Sequence, residues 1–71
     1  MGLATQELRE EVRNRILART GRRVRNLDIQ LTGEGIVLLG QAGSYHVKQL
    51  AQQGVQEYLP SLRLENAIVV A

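Results

Sequence analysis

Residues 36–58 read IVLLGQAGSYHVKQLAQQGVQEY and decide the fold. The apolar run 36–39 is typical of a short buried strand, and the glycines at 40 and 43 are expected to end it. Ser44 is a favoured N-cap residue, and after it apolar residues return every three or four positions, which predicts an amphipathic helix. The members of this apolar stripe are Val47, Leu50, Ala51, Gly54, Val55 and Tyr58. A strand that leads directly into a helix predicts a right-handed crossover to a parallel strand.

The alternating segment before this stretch predicts another strand. Leu27, Ile29 and Leu31 are separated by polar residues, so one face of the strand is apolar and the other faces water. Gly33-Glu34-Gly35 supplies the turn of a hairpin that joins this strand to residues 36–39.

The two ends of the sequence add a helix and a third strand. Residues 5–20 carry an apolar side chain every fourth position, which predicts an amphipathic helix with Thr5 as its N-cap and Gly21 as its C′ residue. The apolar positions are Leu8, Val12 and Ile16. Pro60 prevents continuation of the second helix, and residues 62–71 alternate again as a strand.

The order of these elements is helix, strand, strand, helix, strand (αββαβ), which predicts an α+β domain. Because each helix has one apolar stripe, we expect both helices to pack on one face of a three-stranded mixed sheet and the other face to stay open. One domain spans residues 1–71, with a core from about 5 to 70. The pattern does not decide whether the second and third strands are neighbours or lie on either side of the first.

The composition limits what such a domain does. Its 71 residues include no cysteine, allow one small core and exclude a multi-domain enzyme. Only 3% of the residues are aromatic, so the stacking platforms typical of single-stranded nucleic-acid binders are missing. The formal net charge is +2, so a strongly charged surface requires a local cluster.

Such a cluster lies between Glu11 and Asp28, where every charged residue is an arginine. Its members are Arg13, Arg15, Arg19, Arg22, Arg23 and Arg25. We expect the C-terminal part of the cluster to bind anionic groups, either phospholipid headgroups or phosphodiesters. The residues of this predicted anion site are Arg19, Arg22, Arg23 and Arg25. The alternative is a solvated helix in which Glu11 and Arg15 form an i,i+4 pair and arginines complement the helix dipole.

The open face of the sheet carries a second candidate surface. Val37 and Leu39 have the parity opposite to the helix-facing residues and share the open face with Val69. If exposed, they suit docking of a protein partner or a homo-oligomer, which would also stabilise a small domain. The alternative is that a neighbouring segment or the N-terminal Leu3 covers them.

Catalytic chemistry finds little support in this sequence. Ser44 and His46 are residue types of a hydrolytic triad, but two positions apart on a helix they point away from each other. His46 also lacks a second metal ligand at suitable spacing. We therefore predict no catalytic residue, no metal and no cofactor. Gly40-Gln41-Ala42-Gly43 is formally the G-x-x-G of nucleic-acid-binding KH domains, but it follows a strand and holds no basic residue, which disfavours nucleic acid as the partner.

Two segments resemble a known family. Ile36-Val37-Leu38-Leu39-Gly40-Gln41-Ala42 is similar to the apolar-x-Leu-x-Gly-x-apolar motif of the BON domain, a module of bacterial osmotically inducible and nodulation-related envelope proteins. Leu64-Glu65-Asn66-Ala67-Ile68-Val69-Val70 resembles the closing strand of that family. The element order agrees over nearly the whole chain, whereas Pro60-Ser61 replaces the Gly-Val turn usual in the family.

The resemblance implies a non-enzymatic binding module that attaches to anionic phospholipid surfaces or assembles protein complexes at the cell envelope. Gly40 and Asn66 are structural markers in this comparison. Gly40 has the parity of the helix-facing residues, so we expect it to let a helix backbone approach closely. Asn66 is expected to be a hydrogen-bonded inward amide or the site of a bulge.

Targeting signals in the sequence do not decide the cellular compartment. Charged residues interrupt the first 20 positions, so we predict no signal peptide, and no apolar run is long enough to span a bilayer. The expectation is a periplasmic or envelope location if the chain is a fragment of an exported protein, and a cytoplasmic one otherwise.

Overall fold

Five elements of secondary structure follow one another in the predicted order. The computed structural model describes residues 2–71, with side chains from Gln6 onward. The elements are α1 (Gly2–Thr20), β1 (Val24–Leu31), β2 (Gly35–Ala42), α2 (Tyr45–Tyr58) and β3 (Arg63–Val70). The α+β class is confirmed, as is the mixed three-stranded sheet with its two helices on one face.

Helix α1 begins earlier than its apolar stripe indicates. It starts at Gly2, so Thr5 lies inside the helix and its assignment as the N-cap is wrong. Packing of the apolar stripe fixes the helix, and Leu3 and Ala4 then continue it toward the N-terminus because both have a high helix propensity.

The C-terminus of α1 forms as the sequence predicts. Gly21 takes a φ of +63°, and the N–H of Arg22 donates to the carbonyl oxygen of Leu17 at 2.9 Å. This is the hydrogen bond of a Schellman C-cap, in which glycine adopts the left-handed conformation without a steric penalty. The cap turns the chain directly into β1.

Strand β2 lies at the centre of the sheet, antiparallel to β1 and parallel to β3. This fixes the strand order, which the sequence pattern leaves open. Strand β2 continues past Gly40 to Ala42, because Ala42 is buried and pairs with Val24 of β1 and with Val70 of β3. The start of β1 and the ends of β2 and β3 therefore lie side by side in one row.

The apolar core fills the space between the helices and one face of the sheet. All five elements contribute aliphatic side chains to it, as the near absence of aromatic residues requires. Its buried members are Val12, Ile16, Val24, Leu27, Ile29, Ile36, Leu38, Ala42, Val47, Ala51, Val55 and Ile68. The helices approach each other closely at Gly54, where an added Cβ would lie 3.3 Å from the carbonyl oxygen of Arg15.

Strand β1 packs so closely on Gly40 that a side chain at this position would meet its backbone. The β1–β2 register shifts between Arg25 and Asp28, and Asn26 takes a φ of +54°, which marks a β-bulge. The bulge brings β1 over Gly40, where an added Cβ would lie 3.0 Å from the carbonyl oxygen of Arg25 and 3.3 Å from Cα of Leu27. The close approach comes from a neighbouring strand, which corrects the expectation of a helix backbone at this position.

Gly35 and Gly33 provide a matched test of this packing. A Cβ on Gly35 would collide with the carbonyl oxygen of Arg63 in β3, whereas nothing lies within 4 Å of a Cβ on Gly33. We expect Gly35→Ala to lower the free energy of unfolding by about 2 kcal/mol or more, and Gly33→Ala to change it by less than about 0.5 kcal/mol. Urea unfolding measures both values, and equal losses would contradict the tight β2–β3 contact.

Candidate anion-binding surface

The sheet register gathers three segments at one end of the molecule. Residues 21–25 lead from α1 into β1, residues 41–45 lead from β2 into α2, and residues 69–71 close β3. The hairpin 32–34 and the turn 59–62 lie at the opposite end. Eight residues of extended strand separate the two ends by about 20 Å or more.

Arg22, Arg23 and Arg25, which we call the basic tip, line an open cleft at the first of these ends. The cleft has a volume of about 540 Å³. Its other lining residues are Gly43, Ser44 and Val47. All three arginines are exposed, and no Asp or Glu is among the described residues that line the cleft. Nε of Arg23 donates to the carbonyl oxygen of Thr20 at 2.8 Å. Within residues 2–71, none of the three guanidinium groups forms an ion pair.

Arg19 does not belong to this group. Its guanidinium lies 3.0 Å from Oε2 of Glu57 and donates to Oε1 of Gln53 at 3.2 Å, and both partners belong to α2. It lines a separate cleft of about 290 Å³ between the two helices. An arginine already paired with a carboxylate offers less to an external anion, so the structure separates Arg19 from the other members of the predicted anion site.

The arginines in the middle of α1 are likewise occupied within the fold. Nε of Arg15 donates to Oε2 of Glu11 at 2.9 Å, which is the predicted i,i+4 pair, and its guanidinium carbon lies 4.0 Å from the ring centroid of Tyr58. Arg13 donates to the carbonyl oxygen of Leu27 at 3.1 Å. The alternative of a solvated helix therefore holds for the arginines of α1, and the members of the cluster that follow α1 form the basic tip.

The N-terminus of α2 borders the same cleft. Ser44 is its N-cap, as predicted, because its Oγ accepts the N–H of Val47 at 3.2 Å. The first turn of α2 contains no acidic residue, so nothing in it offsets the positive end of the helix dipole. The dipole and the three guanidinium groups attract negative charge to one place.

Exposed apolar side chains lie at the same end of the molecule as the basic tip. Tyr45, Val69 and Val70, which we call the apolar rim, are 63%, 58% and 43% exposed. Among the residues with described side chains, Leu62 is the remaining exposed large hydrophobic residue, and it lies at the opposite end. Sequence reasoning missed this combination because it depends on the strand order. Alternation places Val69 on the open face and Val70 toward the helices, and only the register places both at the end of the sheet that carries the arginines.

The predicted docking residues lie where the alternation places them. Val37 and Leu39 are on the open face of the sheet and are half-buried, and both helices pack on the other face. The side chain of Leu3, the alternative cover, lies outside the described part of the chain. Neither Val37 nor Leu39 is among the exposed large hydrophobic residues of the described part of the chain.

Asn66 is the inward hydrogen-bonded amide of the two predicted alternatives. Its Nδ2 donates to the carbonyl oxygen of Lys48 in α2 at 2.9 Å, and its Oδ1 accepts the N–H of Ile68 at 3.2 Å. The β2–β3 register runs without a shift, so there is no bulge at this position. Asn66 thus links β3 to α2 by a hydrogen bond.

Other chemistries have little geometric basis in residues 2–71. Groups of three or more His, Cys, Asp or Glu side chains suited to a metal ion do not occur there. Neither described helix combines the length and the apolar character that crossing a bilayer requires. Gly40, Gln41 and Ala42 of the G-x-x-G belong to strand β2, so they do not form a loop between two helices.

Comparisons with protein-family models, curated proteins and solved structures gave no match for this chain. The resemblance to the BON domain therefore depends on the residues of β2 and β3 and on the element order. The functional argument depends on the geometry of the basic tip and the apolar rim.

Arg22 allows a test of whether its side chain contributes to the stability of the fold. Its φ of +61° lies in the left-handed region, where a residue with a Cβ loses about 1 kcal/mol relative to glycine. We expect Arg22→Gly to raise the free energy of unfolding by about 0.5–1 kcal/mol. Arg23→Gly, at a position without positive φ, should lower it. Urea midpoints of both variants provide the measurement, and a loss of stability in Arg22→Gly would show that the side chain itself stabilises the fold.

Proposed function

We propose that this chain is a BON-like, non-enzymatic module that attaches to anionic phospholipid surfaces through the basic tip. The observation that carries the proposal is that three arginines with no ion pair among the described residues lie at the same end of the molecule as three exposed apolar side chains. Both components strengthen peripheral membrane attachment, because cations bind headgroups and apolar groups enter the headgroup boundary.

The magnitudes agree with weak, reversible attachment. Each arginine near an anionic membrane contributes about 1 kcal/mol, so the basic tip supplies about 3 kcal/mol. Partial burial of the apolar rim adds about 2–3 kcal/mol at ordinary transfer values. The sum corresponds to a dissociation constant on the order of 0.1 mM, and several copies in one assembly would raise the affinity by avidity.

The arrangement favours a membrane over a nucleic acid as the anionic partner. A phosphodiester backbone uses the arginines but gains nothing from exposed valines, and the described chain offers only Tyr45 at the tip for base stacking. A lipid surface uses the arginines, the valines and the tyrosine together. Assembly of protein complexes at the cell envelope is the alternative function, and its candidate surface is the open face of the sheet.

Co-sedimentation with phosphatidylcholine vesicles containing increasing phosphatidylglycerol tests the proposal. We expect binding that rises with anionic lipid and falls with salt, because exposed charges are screened beyond about 10 Å at 0.1 M salt. Replacing Arg22, Arg23 and Arg25 by glutamine should weaken binding on the order of 100-fold, and replacing them by lysine should largely preserve it.

Arg63→Gln is the control for single replacements in the basic tip such as Arg23→Gln, because Arg63 is exposed at the opposite end of the sheet and its replacement also removes one positive charge. It should change binding less than about twofold relative to the unaltered chain. The double variant Val69→Ser with Val70→Ser should weaken vesicle binding severalfold and leave its salt dependence unchanged. Displacement of the protein from vesicles by a short single-stranded RNA would favour nucleic acid. If the protein does not pellet with vesicles and sedimentation shows that it is an oligomer, the result would favour a module that assembles protein complexes.

A further inference from the structure

The cleft at the basic tip is lined by side chains that donate hydrogen bonds. Each of its three guanidinium groups has several N–H donors and no acceptor. Among the described residues that line the cleft, Ser44 is the one whose side chain contains an oxygen, and that oxygen accepts the N–H of Val47 at 3.2 Å. The hydroxyl group keeps its own hydrogen for a ligand. The side chains of the cleft are therefore complementary to a group that only accepts hydrogen bonds.

The backbone that carries the three arginines is held in place by the fold. The backbone N–H groups of Arg22 and Arg23 donate to carbonyl oxygens of α1 at 2.9 and 3.3 Å. Arg25 belongs to β1 and pairs with Gln41 of β2. Nε of Arg23 donates to the carbonyl oxygen of Thr20 at 2.8 Å, which orients this guanidinium group and leaves its two terminal amino groups for an anion. Binding therefore costs less conformational entropy than it would on a mobile loop.

A phosphomonoester suits this lining better than a phosphodiester does. Its three terminal oxygens accept hydrogen bonds and carry a charge of about −1.5 to −2 near pH 7. A phosphodiester has two such oxygens and a single negative charge. With a phosphomonoester, each guanidinium group finds an oxygen of its own, and the planar fork of arginine favours two parallel hydrogen bonds to phosphate. A ligand with an ammonium group gains less, because no Asp or Glu is among the described lining residues.

We infer that the cleft of the basic tip selects phosphomonoester groups, with Arg22, Arg23, Arg25 and the hydroxyl of Ser44 as the donors. The group is either the headgroup of phosphatidic acid or a soluble phosphate ester. The inference rests on the proposed function, because it names the ligand class of the same site. General attraction of a positive surface to a membrane follows the surface charge, whereas a cleft of this kind distinguishes anions of equal total charge.

Co-sedimentation with charge-matched vesicles tests the selectivity. One set of phosphatidylcholine vesicles contains phosphatidylglycerol, and the other contains phosphatidic acid at half that molar fraction, so that its surface charge is no greater. If surface charge alone decided binding, the two sets would bind equally. We expect the domain to bind the phosphatidic acid vesicles at least about fivefold more tightly. Phosphatidylserine at the molar fraction of phosphatidylglycerol should bind no more tightly than phosphatidylglycerol, because its ammonium group faces the arginines.

Titration of the ¹⁵N-labelled domain with glycerol 3-phosphate distinguishes the two sources of the phosphomonoester. Amide shifts confined to residues 21–25 and 43–45 at millimolar concentration, with displacement of the domain from phosphatidic acid vesicles, would assign the cleft to soluble esters as well as to the lipid. A preference for phosphatidic acid without such shifts would assign the cleft to the lipid headgroup.

Ser44→Asp places a carboxylate in the cleft and keeps a favourable N-cap for α2. It should remove the preference for phosphatidic acid over phosphatidylglycerol. Ser61→Asp is the matched control, because Ser61 is exposed in the turn at the opposite end and the charge change is the same. The control should keep the preference within about twofold. Replacing the three arginines by lysine keeps the charge without the fork, so this variant should bind phosphatidylglycerol vesicles well and lose most of the preference.

Equal binding of the unaltered chain to the two charge-matched vesicle sets, with no shifts from glycerol 3-phosphate, would overturn the inference and leave attachment to anionic surfaces intact. A preference for phosphatidic acid that survives Ser44→Asp would also overturn it, since the selective site would then lie elsewhere. Binding to neither vesicle set would instead contradict the proposed function. The failure of the selectivity and the failure of membrane attachment are therefore distinguishable.

Discussion

Backbone pairing of β2 with a strand on each side is the constraint on which the rest of the structure depends. Its residues 36–39 are apolar on both faces, and such a strand loses least free energy in the centre of a sheet. Because β1 is antiparallel and β3 parallel to it, the start of one and the end of the other meet at Ala42. The basic tip and the apolar rim lie at one end of the molecule because these strand ends lie side by side.

Identical side chains take different roles in this chain according to what packs beside them. Arg15 and Arg19 are paired with carboxylates, and Arg13 is bonded to a strand carbonyl, so these arginines contribute to the fold. The three of the basic tip follow the C-cap of α1, where the chain leaves the helix pair, and among the described residues none of the three forms an ion pair. A net charge of only +2 therefore coexists with a locally strong positive surface.

Local patterns were sufficient for the fold class, for the N-cap at Ser44 and for the C-cap at Gly21, because each depends on a few neighbouring residues. Nonlocal contacts were not predictable in the same way. Arg19 leaves the anion site because α2 brings Glu57 beside it, and Gly40 is required because a bulge in β1 passes over it. The position of Val70 at the same end of the sheet as the arginines follows from the strand order, which the sequence pattern does not decide.

Paramagnetic broadening by a spin-labelled lipid in anionic bicelles tests most directly whether the domain meets the membrane by one end. The ¹⁵N-labelled domain should lose amide signal intensity at residues 21–25, 43–45 and 69–71, and retain it at residues 33–34 and 60–63, which lie about 20 Å away or more. Broadening centred on the hairpin, or spread evenly over the domain, would contradict attachment through the basic tip.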